Sequence, residues 1–237
     1  MNLVQRQRFY LLESIRRSPF WFFLIYKLFR KHRHLILNEN TEIVIEGYPR
    51  SANTFAVVAF EYAQRRKVNI AHHLHSPAQI IRGVNKGMPV CLLIRDPKAS
   101  IKSLCVRNPF FPVSMALESY IGFYETVMPY LHGCYIAKFD DVISDFGKVI
   151  QGINKKFGKN FDCAEYNEKS IGEIYVRIDT INSKDPEMRG EIRGVARPHV
   201  SKSVNNANGQ LDFDTSDFKR AVDVYNKVLS YSLPGNS

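Results

Sequence analysis

From Thr41 onward the chain alternates short apolar runs with stretches whose apolar positions recur at helical spacing. The runs Glu42 to Gly47, Val68 to His72, Pro89 to Arg95 and Cys134 to Lys138 are bounded by turn or polar residues, which predicts buried strands. Between and after them, helices are predicted over Asn53 to Arg66, Pro77 to Asn85, from Pro97, within Pro112 to Leu131, and over Val142 to Phe157. A segment rich in Asn, Ser and Gly, Ser201 to Thr215, predicts a loop or lid before a last helix, Phe218 to Tyr231. Alternating strand and helix predicts an α/β fold, a single domain with a central parallel sheet flanked by helices. Such a sheet binds ligands at the carboxyl ends of its strands. The length of 237 residues suits one such domain, and no internal repeat or long linker divides it.

Residues 1–40 read as a basic, aromatic, amphipathic helical leader on or beside the domain of residues 41–237. Pro19 to Tyr26 is the most apolar run, and Lys27 interrupts it far short of the ~20 apolar residues a bilayer span needs. No small-residue cleavage site follows it. Two readings stay open: a helix packed into the core, or an interfacial helix with its aromatics down and basic residues alongside. Charge sharpens the second. The chain carries a formal net charge of +10, and residues 1–34 hold eight Lys or Arg against Glu13 alone. A near-neutral body argues against nucleic acid as the partner, and a basic leader suits an anionic surface. Residues 16–34 are therefore expected to allow peripheral membrane contact. Cys91, Cys105, Cys134 and Cys163 are widely spaced, with no metal-site spacing, which predicts core residues in a reducing, cytoplasmic compartment.

Candidate chemistry begins where the first strand ends. Gly47 to Thr54 matches the ATP-binding pattern G-x-x-x-x-G-K-[ST] at its first Gly and last Thr, but Ala52 replaces the second Gly and Asn53 the lysine. Without that lysine the loop is a poor site for ATP or GTP hydrolysis. It keeps what binds a single anionic group: backbone N–H donors, a helix N-terminus, and the hydroxyls of Ser51 and Thr54. It also gains Arg50, a permanent cation. A second candidate anchor follows the third strand. There Arg95 stands at the strand end, Asp96 and Pro97 suit a helix start, and Ser103 lies two turns up.

Tyr48-Pro-Arg-Ser-Ala-Asn-Thr-Phe55 resembles the donor loop of the sulfotransferases that use 3′-phosphoadenylyl sulfate (PAPS). The resemblance implies a P-loop-type sulfotransferase fold with PAPS as co-substrate, 3′-phosphoadenosine 5′-phosphate (PAP) as product, and no metal. It places the donor on Arg50, Ser51, Ala52, Asn53, Thr54 and Phe55. By the same resemblance Arg95 and Ser103 hold the 3′-phosphate, and Phe139, in Phe139-Asp-Asp141, contacts the adenine with Phe55. Either phenylalanine reads equally well as core. The family's late Arg-Lys-Gly is absent, which leaves Arg197 and Lys202 as candidate 3′-phosphate ligands. Arginine at 50 excludes that residue as a proton donor, and alanine at 52 asks the backbone for a conformation glycine adopts more easily.

A base is expected in the cluster His72-His-Leu-His75-Ser-Pro77 after the second strand. In an extended chain His73 and His75 would point to one side and His72 to the other. His75-Ser-Pro77 matches the family's His-x-Pro, which makes His75 the candidate base and His73 its neighbour. Metal binding and a structural role are the alternatives. The aromatic loop Arg107 to Pro112 suits an acceptor wall or a hydrophobic plug. The expected reaction is sulfuryl transfer to an acceptor hydroxyl on a glycan, a lipid head group or a small alcohol. A phosphoryl transferase, or a binder that uses the basic leader without catalysis, are the competing classes.

Overall fold

A computed structural model describes residues 2–28, 33–184, 213 and 215–232. Two helices lead the chain, α1 (Leu3–Arg17) and α2 (Pro19–Tyr26). Strands β1 (Ile43–Gly47), β2 (Ile70–His72) and β3 (Val90–Ile94) then alternate with α3 (Asn53–Ala63), α4 (Pro77–Asn85) and α5 (Pro97–Arg107). After α6 (Val113–Val127), a 3₁₀ turn leads into β4 (Tyr135–Lys138). The chain continues through α7 (Phe139–Ser144), α8 (Phe146–Phe157), α9 (Glu168–Lys184) and α10 (Ser216–Ser230).

The four strands form one parallel sheet in the order β2-β1-β3-β4, so the fold is the single α/β domain that the alternation predicts. β1 is central, with Ile45 opposite His72 on one side and Cys91 on the other. Both β1 and β3 are buried along their whole length, as strands covered on both faces must be. Ile43, Ile45, Cys91 and Leu93 face a core layer built with α3, α8 and Ile174 and Ile178 of α9. Val44, Val90, Leu92 and Ile94 face the layer of α4, α6 and α10, which also takes in Phe22, Phe23 and Tyr26 of α2. The leader thus contributes to the main core on one face.

Boundaries differ from the sequence pattern where side chains intervene. α3 stops at Ala63 because Gln64 turns extended and exchanges hydrogen bonds with Asp162, its Nε2 donating to the Asp162 carbonyl at 3.0 Å and its Oε1 accepting at 3.0 Å. The predicted helix from Val142 is two helices, since Asp145 breaks the first and caps the second by accepting from the Lys148 N–H. α9 has no counterpart in the predicted series.

Candidate active site

The loop joining β1 to α3 is built on close backbone approach. A Cβ on Gly47 would meet the Leu93 carbonyl oxygen at 2.5 Å, so only glycine lets β1 finish beside β3 here. The Ser51 N–H then turns back to the Tyr48 carbonyl at 3.2 Å, and the Asn53 side-chain amide donates to the same carbonyl at 3.0 Å. Asn53, in the position of an ATP-site lysine, is 5% exposed and braces the loop from within. Arg50 and Ala52 both sit in the left-handed region, at φ 72° and 67°. That geometry costs a non-glycine residue about 1–2 kcal/mol, and such strain concentrates at functional sites. Ala52 precedes α3 without any side-chain cap, so the first N–H groups of the helix are left for a ligand or solvent.

Three arginines converge on this helix end. Arg50 Nε donates to Ser103 Oγ on α5 at 2.9 Å, and Arg95 Nη1 donates to the Arg50 carbonyl at 3.0 Å. Asp96 caps α5 by accepting from the Ala99 N–H at 2.8 Å, which fixes Arg95 at the strand end and Ser103 above it. The Arg95 guanidinium also lies 3.8 Å from the centroid of the Phe139 ring. Burial, with Arg107 and Arg95 nearby, pulls Arg50 down to about 10, still fully charged at neutral pH. The cavity these groups border measures about 290 Å³, and its lining includes Arg50, Arg95, Arg107, Thr54 and His73 but no Asp or Glu. A cleft with crowded cations and no carboxylate is suited to an anion.

The histidines occupy the segment after β2, and that segment is not extended. Glu46, fully buried in β1, accepts from the backbone N–H of Leu74 at 3.0 Å and of His75 at 3.1 Å, and from the Gln79 amide at 2.9 Å. This draws the chain into a turn, with His73 and His75 left-handed at φ 60° and 47°. The expected split of His73 and His75 from His72 therefore does not hold: the His72 and His73 rings meet through their Nδ1 atoms. His73 Nε2 lies 3.1 Å from Thr54 Oγ1, so both its ring nitrogens are engaged within the protein. His75 Nδ1 lies 2.9 Å from the Gly47 carbonyl, which can only accept. The neutral ring therefore carries its proton on Nδ1 and its lone pair on Nε2. Burial pushes His72, His73 and His75 down to about 3, 4 and 3, so all three rings are neutral at neutral pH.

His75 also borders a second cavity of about 150 Å³, whose other walls include Phe9, Glu13 and Arg16 of α1, with Tyr48 and Phe111. The Ser76 hydroxyl donates to the Arg16 carbonyl at 2.8 Å and ties α1 to the histidine segment. Of the aromatic loop after α5, Phe111 packs edge-on against Phe9 while Phe110 is exposed.

The structure therefore brings Arg50, Ala52, Asn53, Thr54, Arg95, Ser103, Phe139, His73 and His75 to one strand-end region, while Ser51, in the same loop, is fully buried and does not line the cavity. Phe55 differs: it borders the cavity, but it is fully buried and its ring packs against Tyr175, which makes it a core residue. Arg197 and Lys202 lie outside the described residues. Glu46 and the wall from α1 escape the sequence motifs, although an acid inside the apolar run Ile43–Gly47 is a visible oddity. Among the described residues, no group of three or more His, Cys, Asp or Glu is placed to hold a metal ion.

No protein-family model matches the chain, and no curated protein matches it. Among solved structures, the crystal structure of mouse sulfotransferase SULT7A1 complexed with PAP is similar over 84% of this chain and 87% of that one. The TM-score is 0.47 and the identity 12%, too little to carry function across.

Proposed function

We propose that this chain transfers a sulfuryl group from PAPS to an acceptor hydroxyl. The observation that carries the reading is the acid-free cleft of Arg50, Arg95 and Arg107 at the uncapped start of α3, with a neutral histidine at its edge. The residues present fit the donor. The α3 N-terminus and Arg50 would take the 5′-phosphosulfate, Arg95 and Ser103 the 3′-phosphate, and the Phe139 face the adenine. An ATP reading is disfavoured because Asn53 stands in place of the lysine and its amide is committed to the Tyr48 carbonyl.

The donor supplies an activated sulfur bonded to a phosphate oxygen. His75 Nε2 accepts the acceptor hydroxyl's proton as that oxygen bonds to sulfur, and the Gly47 carbonyl on Nδ1 stabilises the imidazolium that forms. The sulfur–oxygen bond to the phosphate breaks with its electron pair on the departing PAP oxygen, where Arg50 offsets the developing charge. His73 positions Thr54 and hence the helix start. The cavity beside His75, walled by α1, is the acceptor side. Incoming donor anions draw His75 upward from its depressed value, because opposite charge favours the protonated ring.

Calorimetric titration with PAP and with ATP tests the donor. PAP is expected to bind and ATP to bind at least tenfold more weakly; preference for ATP would overturn the reading. In Arg50→Ala, turnover should fall by about 10²–10³-fold. Full activity in that variant would remove Arg50 from the mechanism.

A further inference from the structure

Apolar exposure is concentrated near the start of the chain. Of the twelve large hydrophobic side chains exposed among the described residues, eight lie between residues 3 and 28. On α1 they are Leu3, Val4, Tyr10 and Leu11, which share one stripe because the i, i+7 pairs Leu3/Tyr10 and Val4/Leu11 stand on adjoining rows. On α2 the division is sharp. Phe22, Phe23 and Tyr26 point into the core, while Phe20, Trp21, Leu24 and the following Leu28 are 51–76% exposed on the opposite side. A helix apolar all round, mounted on a soluble core by one face only, leaves the other face to be covered.

We infer that α1 and α2 form a docking surface for an anionic lipid bilayer, lying in its interface rather than crossing it. Charge identifies the occupant. Arg6, Arg8 and Lys27 are exposed beside the apolar stripe, and Glu13, the one acid within α1 and α2, is turned inward to Arg16 and Arg17. Glu118 at the edge accepts from the Tyr10 hydroxyl at 2.7 Å and keeps its charge, so this exposed acid is set against Arg6, Arg8 and Lys27. Anionic head groups would meet these cations while Trp21 and Phe20, aromatics suited to the interfacial layer, enter below them. A second copy of the chain fits less well, since a two-fold interface would set these cations against themselves, and interface cores are depleted in charge. No described helix is long and apolar enough to cross a membrane. This surface stands independently of the sulfuryl-transfer reading.

Trp21 is the only tryptophan in the chain and lies on the proposed face, so the unmodified protein reports on itself. Vesicles of phosphatidylcholine containing phosphatidylglycerol should shift Trp21 emission to the blue and shield it from acrylamide, reversibly with salt, and pure phosphatidylcholine much less. Phe20→Ser with Leu24→Ser should weaken vesicle partitioning by about tenfold or more. Arg6→Gln with Arg8→Gln should cut the preference for anionic vesicles by about fivefold or more. Both variants should keep the circular dichroism of the parent. Unmoved Trp21 emission, or equal partitioning to neutral and anionic vesicles, overturns the inference. So does a vesicle-free emission shift that follows protein concentration together with a doubled mass, because the cover is then a second copy.

Discussion

The segments that follow β1 and β2 are built alike and held differently. Each places two non-glycine residues in the left-handed region, Arg50 and Ala52 in the first, His73 and His75 in the second. The first is braced mostly by its own neighbours, through Ser51 and Asn53 turning back on the Tyr48 carbonyl. The second is held from outside, by the Glu46 carboxylate of the adjacent strand. A phosphate-binding loop can carry its instructions locally. The histidine turn, which carries the proposed base, depends on a residue far away in sequence, and that dependence makes it separable by mutation.

Removing the side chain held from outside should have the largest effect. His75→Ala is expected to lower kcat by about 10²–10⁴-fold with PAP affinity retained, and His73→Ala far less, since both His73 nitrogens are already engaged. Equal losses in the two variants would erase the distinction between base and positioning residue. Glu46→Ala should cost about 2–4 kcal/mol in denaturant unfolding, because the buried N–H groups of Leu74 and His75 lose their acceptor. It should also lower kcat with little change in PAP affinity, while Glu46→Gln recovers part of the stability. If PAP binding fell in step with kcat, the two segments would be one unit.

Acid tests the same contrast. His72, His73 and His75 have depressed folded values, so below about pH 6.5 the unfolded chain takes up protons that the folded chain refuses, and stability falls with falling pH. Glu46 works in the other direction. Burial raises it to about 7, so between there and its unfolded value the folded state holds a proton that the unfolded state lacks. The net uptake on unfolding is about two protons, or roughly 2–3 kcal/mol lost between pH 6 and pH 5, measurable as a fall in the urea midpoint. In Glu46→Gln, with the opposing group gone, the slope should steepen. The smallest effect belongs to the locally held loop: Ala52→Gly should relieve the left-handed strain at some entropic cost, raising stability by no more than about 1 kcal/mol. Destabilisation there would mean that the Ala52 methyl packs usefully.

Much of this was written into local sequence. Alternating apolar runs gave the parallel sheet, and Gly47 to Thr54 with Arg95 and Ser103 marked one end of it, because loop, cap and helix chemistry act over a few residues. The turn at His73 to His75 was not legible, since an extended reading of the cluster knows nothing of a carboxylate opposite. α9 was missed because Ile174 and Ile178 become a buried face only once α3 is there to cover them. The local sequence leaves Phe55 open between adenine contact and core, and only the fold shows it fully buried against Tyr175 at the cavity border.

By itself the sequence determined a candidate anion site, because backbone donors and guanidinium groups are specified by residue type and short spacing. Tertiary structure alone decided that Glu46 would hold the turn at His73 to His75, that α1 would wall the cavity beside His75, and that α2 would bury Phe22 and Phe23 while exposing Trp21. Those outcomes depend on which elements meet across the sheet, and burial and buried hydrogen bonds acquire their energies only when the partners are in contact.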